Sequence, residues 1–495
     1  MDYSILLASL LATPETAPLL PLVEKLVRHC QHLTDHIGAF RTEPITPAAT
    51  HAFETQLQQL LRQLGRDLCD WTFNHLEADD RQELPAHLDD HGQHYRCRGR
   101  SPNHIATLFG TVPLHRYLYE DLEPGNPCLF PLERQLGIVA GAATPALAER
   151  AAWWFAQHPQ NSTLTVLVRD HDVHWSKDTL RRVTAAVAEG LEQQRLAVQV
   201  DQVLRWLDKA QASRGRFRVA LVAGRDGIHL PMCGREPYKE GATATLTVYN
   251  RRGQRLGTVY LGRMPEPGQA ALSEQLTALV LGVLQRWQGP LPRLAYVTDL
   301  GSHPTTYFRQ VLSRLCHPRT GERLLWQRIA DYYHAAGYVG KMAQALFGDS
   351  QQGRQWQRRM LRRLKEKDGV KRVLQSATYH AQACDWSAAS EKLYEEGYGY
   401  LRRYGKWMRY RDYRAVGLPL GSGVTEAACK TVFSQRLKQS GMRWRVSGGQ
   451  VVVTLRVVLL SGVWEAALAR WLGSQHFPTL GVQHHLPTET SKNAA

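Results

Sequence analysis

The sequence contains no Cys-x-x-Cys pair. Its eight cysteines, Cys30, Cys69, Cys97, Cys128, Cys233, Cys316, Cys384 and Cys429, are scattered, which argues against a zinc ribbon or a disulfide frame and for reduced thiols in a cytoplasmic protein. An apolar run long enough to span a bilayer is also missing. The best stretch, Val451 to Leu472, is interrupted by Arg456, Glu465 and Arg470 and reads as a buried helix, so no membrane partner is expected. The apolar residues from Ile5 to Leu11 follow Asp2 and have no basic flank, so a secretory signal is not expected. Acids are in deficit: 45 Asp and Glu face 61 Lys and Arg, giving a formal charge of +16 and a pI near 9.6. Such an excess favours a polyanionic partner, nucleic acid or an anionic surface, and charge alone does not choose between them. A chain of 495 residues exceeds one ordinary core, and roughly two to four domains are expected.

Residues 1–94 read as an N-terminal helical region. Thr46-Pro47 is an N-cap followed by proline at the first helical position, and Phe53, Leu57, Leu60, Leu61, Leu64 and Leu68 keep helical spacing. Residues 95–131 read as a β-hairpin module and linker. Ile105, Thr107 and Phe109 alternate, Gly110-Thr111 offers a turn, and Val112, Leu114 and Arg116 alternate again. Cys97 and Cys128 flank this hairpin, where isolated cysteines are more often packed thiols than metal ligands. In residues 132–212, helices are expected at Thr144–His158, at Leu164–Asp170 and from an N-cap at Ser176 to about Gly190, with a connector helix from Leu191 to Gln211. Three short helices in this order suit a helix-turn-helix, whose third helix would offer Lys177, Thr179, Arg181 and Arg182 to DNA; an ordinary three-helix packing unit suits them equally.

From residue 213 to 348 the texture is α/β. Strands are expected at Val219–Ala223, Ile228–Cys233, Thr243–Tyr249 and Leu256–Leu261, with turns at Gly224-Arg225-Asp226-Gly227 and Asn250-Arg251-Arg252-Gly253. Helices at Ala270–Trp287, Pro304–Leu315 and Tyr332–Leu346 then alternate with strands at Leu294–Thr298 and Leu324–Ala330. Antiparallel strands followed by helix–strand alternation resemble a ribonuclease-H-like fold, so the expected class is multidomain α plus α/β, its catalytic domain interrupted by an insertion. Residues 349–416 supply that insertion: Gln351 to Ala415 holds sixteen Lys and Arg against seven Asp and Glu, with aromatics interleaved. Rings between cations suit stacking on unpaired bases, here around Arg402, Arg403, Lys406 and Trp407, or inward packing of an ordinary helical subdomain. Residues 417–472 return to the α/β domain and 473–495 read as a polar tail.

Three acids carry the candidate chemistry. Asp226, in VALVAGRDGIHL, and Asp299, in RLAYVTDLGSHP, each follow an apolar strand; Glu426 opens a helix after Pro419, Gly421 and Gly423. Glu426 is the only acid from Gly417 to Arg445, a stretch with Lys430, Arg436, Lys438, Arg443, Trp444 and Arg445 as DNA-contact candidates. Taken singly, Asp-Gly is a common turn, a strand-end Asp often caps a helix, and Glu suits a helix N-terminus by about 1 kcal/mol or less. Taken together, converging carboxylates repel unless they share a cation such as Mg²⁺.

The segment GLPLGSGVTEAACKTVFSQRLKQSGMRWRVSGGQVVVTLR resembles the C-terminal signature of bacterial insertion-sequence transposases of the DDE type, closest to the ISKra group. The resemblance extends over about Val219 to Trp464 and implies a catalytic triad of Asp226, Asp299 and Glu426 holding two Mg²⁺ or Mn²⁺ ions. It further implies that Asp331 and His334, in RIADYYHAAGYV, match an auxiliary Asp-x-x-His element, although Asp331 also reads as an ordinary N-cap. The spacings, 299 − 226 = 73 and 426 − 299 = 127, accommodate the helical insertion. Related proteins often carry a Cys-x-x-Cys pair after the hairpin, where this chain has YLYEDLEPGNPC, which argues against zinc binding there. The expected activity is cleavage of the element's own ends and their transfer into target double-stranded DNA, by a homodimer or larger oligomer on the bacterial nucleoid. A non-catalytic DNA-binding derivative and a structure-selective nuclease on the same fold are the alternatives.

Overall fold

The structure is a computed structural model that describes residues 19–42, 44–78, 80–90, 92–123 and 125–475. The apolar stretch at Ile5 and the tail beyond Gln475 lie outside the described residues. The chain is mixed α/β and divides into two compact units, Met1–Val187 with Leu472–Ala495, and Ala188–Trp471.

In the first unit, helices α1 (Leu20–Thr42) and α2 (Pro47–Asn74) pair through His29, which lies 2.7 Å from Asp67. Thr46 caps α2, accepting a hydrogen bond from the Ala49 amide at 3.1 Å. Strands β1 (His87–Asp90), β2 (Gln93–Thr107) and β3 (Gly110–Asp121) form an antiparallel sheet. The expected hairpin is therefore present, extended by a strand that the pattern of residues 87–90 did not announce. Its tip rests on α2, where a Cβ at Gly65 would come within 2.4 Å of the Phe109 ring. Cys97 is buried among the sheet tyrosines, Cys128 is exposed, and both are free thiols. Helices α3 (Pro131–Gln135), α4 (Pro145–Gln157) and α5 (Gln160–His171) follow.

The expected break at Gly190 does not occur. Helix α6 runs uninterrupted for 36 residues from Lys177 to Ala212, because Gly190 packs under Trp471, whose indole would lie 2.2 Å from an added Cβ. Gly190 is therefore a close-approach glycine inside a helix, not a helix end.

The second unit is built on a five-stranded sheet ordered β6-β5-β4-β7-β8. Strand β4 (Ala220–Pro231) is antiparallel to β5 (Tyr238–Tyr249), which is antiparallel to β6 (Arg255–Arg263). On its other side β4 runs parallel to β7 (Arg293–Thr298), itself parallel to β8 (Trp326–Ala330). The Gly224–Gly227 segment forms no turn: β4 passes straight through it, with Arg225 paired to Ala244 and Asp226 to Thr243. Twelve cross-strand pairs with β5 outweigh a local turn preference. Period-two alternation sends Val219, Leu221 and Ala223 into one core with α6 and α7 (Ala270–Arg286), and Ala220 and Val222 into another on the opposite face. After α8 (Ser302–Gln310), that opposite face is covered by α9 (Tyr332–Phe347) and a helical subdomain of α10 (Gln351–Arg363), α11 (Gly369–Ala381), α12 (Ala388–Tyr404) and α13 (Tyr410–Ala415).

The chain then enters α14 (Gly423–Ala428), a π-helical turn at Cys429–Ser434 and a closing turn at Gln435–Leu437. The expected single helix from Val451 to Leu472 is two, α15 (Val446–Leu460) and α16 (Trp464–Ser474), bent by 114° with Gly462 at φ +66° between them. Among the described residues no single helix is long and apolar enough to cross a membrane.

Candidate active site

Parallel pairing of β4 with β7 matches Gly224 to Val297, so Asp226 and Asp299 stand two residues further along each strand, side by side at the same end of the sheet. Asp226 is interior to β4, and Asp299 is the first residue after β7. Each carboxylate is held locally: Asp226 Oδ1 accepts from the Gly227 amide at 2.8 Å, and Asp299 Oδ1 from the Gly301 amide at 2.9 Å. Between Asp299 and Gly301, Leu300 adopts φ +71°, a left-handed conformation uncommon for a branched side chain, which turns the chain sharply into α8.

Helix α14 reaches the same end of the sheet by packing on Gly224, a strand position without a side chain. Thr425 is buried over Gly224, where an added Cβ would lie 2.1 Å from its hydroxyl, and that hydroxyl is 2.7 Å from Thr245 Oγ1. Glu426 is the next residue, its side chain 61% exposed and 3.4 Å from Lys430 one turn on. Its place in the first turn of α14 also suits the helix dipole.

The ionised form of Asp226 is disfavoured by its surroundings. Burial raises the Asp226 carboxyl above the usual aspartate range, the Cys429 thiol opposes this by donating to Asp226 Oδ2 at 3.4 Å, and the charges of Asp299 and Glu426 push it further up. The Cys429 thiol is itself raised, by burial first and then by Asp226, with Glu426 and Asp299 adding to it. Cys429 is thus buried against Asp226, and sequence reading passed over it. Its signal was its i+3 spacing from Glu426, which puts both on adjoining faces of one helix. Glu240 on β5 is a further acid nearby: it lies across Gly227, where a Cβ would come within 1.8 Å of its carboxylate, and is 4.0 Å from His303.

Among the described residues, no group of three or more His, Cys, Asp or Glu is placed so as to hold a metal ion. Asp226, Asp299 and Glu426 do not form such a group. Their donor set, three hard carboxylates on a strand, a strand end and a helix start, is nevertheless of the chemical type that suits Mg²⁺ or Mn²⁺.

Asp331 has a structural job. It caps α9, accepting from the His334 amide at 2.7 Å, and is 4% exposed. Its Oδ2 also accepts from the Ser422 hydroxyl at 2.5 Å and from the Ser422 amide, which ties the turn before Glu426 to the end of β8. The imidazole of His334 packs edge-on against Tyr338 and Tyr400.

The cations divide. Lys438, Arg443 and Arg445 are exposed. Arg436 is not available to DNA: it is 1% exposed, its guanidinium lies 5.5 Å from the Trp444 ring centroid, and burial lowers its pKa to about 10. Trp444 is half-buried and anchored, its indole donating to the Leu437 carbonyl at 2.8 Å and its backbone bridging to Met232. In the helical subdomain Arg402, Arg403 and Lys406 are exposed, with Lys406 4.7 Å from the ring centre of half-buried Trp407. In α6, Lys177, Arg181 and Arg182 are exposed, Arg181 pairs with Asp178 at 3.0 Å, and Thr179 belongs to the N-cap, its amide donating to Ser176 Oγ at 3.0 Å.

No protein-family model matches the chain, and no curated protein matches it.

Proposed function

We propose that this chain is a DNA transposase of the DDE type, with a ribonuclease-H-like catalytic domain that a helical insertion interrupts between β8 and α14. The observation that carries the reading is the parallel register of β4 with β7, which sets Asp226 and Asp299, 73 residues apart in sequence, at the same end of the sheet, where Thr425 packed on Gly224 seats the helix that bears Glu426. The strand order supports it as well: a three-stranded antiparallel run, then two parallel crossovers whose acid-bearing ends coincide. Asp226, Asp299 and Glu426 are the residues that would hold two Mg²⁺ or Mn²⁺ ions, which would supply Lewis-acid activation of a water or 3′-hydroxyl and charge stabilisation of the leaving oxygen.

The chain's own residues do the rest. Gly224 and Thr425 seat α14 on the sheet, Asp331 fixes the turn ahead of Glu426, and Cys429 orients the Asp226 carboxylate. Lys438, Arg443 and Arg445, exposed just beyond the π-helical turn, contact phosphates of the bound duplex. His334 serves as a packing neighbour of the insertion. Joining of two element ends calls for at least a dimer on DNA, and the work is done on the nucleoid in the cytoplasm.

The test is incubation of the chain with labelled ends of its own element in Mg²⁺ or Mn²⁺, reading nicking and joining separately. Asp226→Ala, Asp299→Ala and Glu426→Ala should each abolish both while leaving end binding intact. Full activity in any one of them removes that residue from the site, and cleavage without joining would favour a structure-selective nuclease.

A further inference from the structure

The helical subdomain turns nearly all of its aromatic rings inward. Tyr410 and Tyr413 are buried and donate to the Ala330 and Arg328 carbonyls of β8, both at 3.2 Å, and Tyr400 stacks on Tyr338 and donates to the Asp299 carbonyl at 3.2 Å. These hydroxyls clamp the subdomain to the acid-bearing end of the sheet. Among the aromatic residues of 351–415 one is an exception: Tyr379, near the end of α11, is 72% exposed.

Tyr379 lines two adjoining hollows. One, of about 620 Å³, has an apolar floor of Leu374 and Leu401 and a rim with Lys371 and Arg402. The other, of about 420 Å³, has Arg363 and Arg372 on its wall. Both are open surface hollows, not enclosed cavities. The surroundings are cationic: α10 carries five arginines and no acid over Gln351–Arg363. Glu366 touches this rim and is paired with Arg372 at 3.1 Å.

A ring held in the open costs hydrophobic burial unless something covers it, and an apolar floor with a cationic rim suits a partner that is flat, apolar-faced and anionic along its backbone. An unpaired nucleotide has those properties. Duplex bases do not, because their faces are already stacked. We infer that this groove binds an unpaired DNA strand, with one base stacked on Tyr379 and the flanking phosphates on Arg363 and Arg402. The identity of the strand as DNA rests on the reading of the chain as a DNA-processing enzyme. The site itself is independent of the three acids.

The experiment is fluorescence anisotropy of the full chain with a labelled thymidine oligonucleotide and with a labelled blunt duplex, alongside thermal melting. Tyr379→Ala should weaken single-strand binding roughly five-fold or more, the size of one lost base–ring stack, while leaving duplex binding within about two-fold and the melting temperature unchanged. Tyr379→Trp should restore it. Arg363→Ala, a second and separately folded variant, should flatten the salt dependence of single-strand binding by about 0.7 on a log–log plot. Unchanged single-strand affinity in Tyr379→Ala, an equal loss for both substrates, or a tenfold preference for RNA of the same sequence would each overturn the inference. Because Asp226→Ala should retain single-strand binding, failure of the groove and failure of the catalytic reading are told apart.

Discussion

Asp331 offers the sharpest test of how the candidate site is held. It is buried and accepts three hydrogen bonds, from the His334 amide at 2.7 Å, the Ser422 hydroxyl at 2.5 Å and the Ser422 amide. Replacing it with Ala removes an N-cap worth about 1 kcal/mol and two bonds to a charged acceptor worth about 1.5 kcal/mol or more each, together about 4 kcal/mol. In a unit of this size that corresponds to a fall in melting temperature of roughly 8 °C. Asp331→Asn separates the contributions, because an Asn oxygen still caps α9 while its amide group presents a donor to the Ser422 amide; its loss should be about half as large. Both variants release the turn that carries Glu426, and a displacement of about 1 Å is enough to cost on the order of 100-fold in rate. If Asp331 acts only through position, raising the Mg²⁺ concentration will not restore end cleavage, and duplex binding will persist. The reasoning is refuted if Asp331→Ala melts within about 1 °C of the parent, or if it cleaves normally, or if excess metal rescues it.

Three other outcomes follow from the same geometry. Gly224→Ala puts a methyl group 2.1 Å from Thr425 Oγ1, so it should cost about 1–3 kcal/mol and abolish cleavage, and adding Thr425→Ala should recover part of the melting temperature. Asp226 is raised by burial, so in chelator-stripped protein its stabilising contribution is full below the ordinary aspartate range and is lost as pH rises through the raised folded value. Asp226→Asn should therefore be inactive yet more stable than the parent at neutral pH, the gap closing on acidification; a gap that is constant with pH, in chemical denaturation, would contradict this. Arg456→Met removes the donor to the Thr431 and Val432 carbonyls, the latter at 2.9 Å, and should cost about 1.5–3 kcal/mol and lower cleavage more than duplex binding.

Much of the α/β unit was legible in sequence, because β5 to β8 and α7 to α9 follow period-two and period-3.6 patterning closely. The Gly224–Gly227 segment was misread as a turn because Gly and Asp-Gly carry strong local turn chemistry, whereas twelve cross-strand pairs decide its conformation. The three acids could be picked out by composition and resemblance, but the placing of Asp226 and Asp299 at one end of the sheet depends on the parallel register of β4 and β7, which no local pattern encodes. The aromatics illustrate a different limit. Tyrosine suits a core and an exposed stacking platform equally, so Tyr410 and Tyr379 look alike in sequence and differ fully in exposure. Arg436 was misassigned for a related reason: a long cation reads as surface until Trp444 is seen to cover it.

The π-helical turn explains how one short segment serves both core and site. In a regular helix Glu426, Phe433 and Leu437 would fall on one face, since seven and eleven residues are close to whole numbers of turns. Phe433 and Leu437 are nevertheless fully buried while Glu426 and Lys430 are exposed. One extra residue in the turn from Cys429 to Ser434 rotates the following segment by about 100°, which places the apolar residues inward without drawing Glu426 in with them. Such a turn strains the backbone bonding, and Arg456 on α15 compensates by donating Nε to the Val432 carbonyl at 2.9 Å and to the Thr431 carbonyl at 3.1 Å. Burial of that guanidinium lowers its pKa only to about 10, so the donor stays charged at neutral pH. Arg456, which in sequence only interrupts an apolar run, thus satisfies two carbonyls of the turn that follows Glu426.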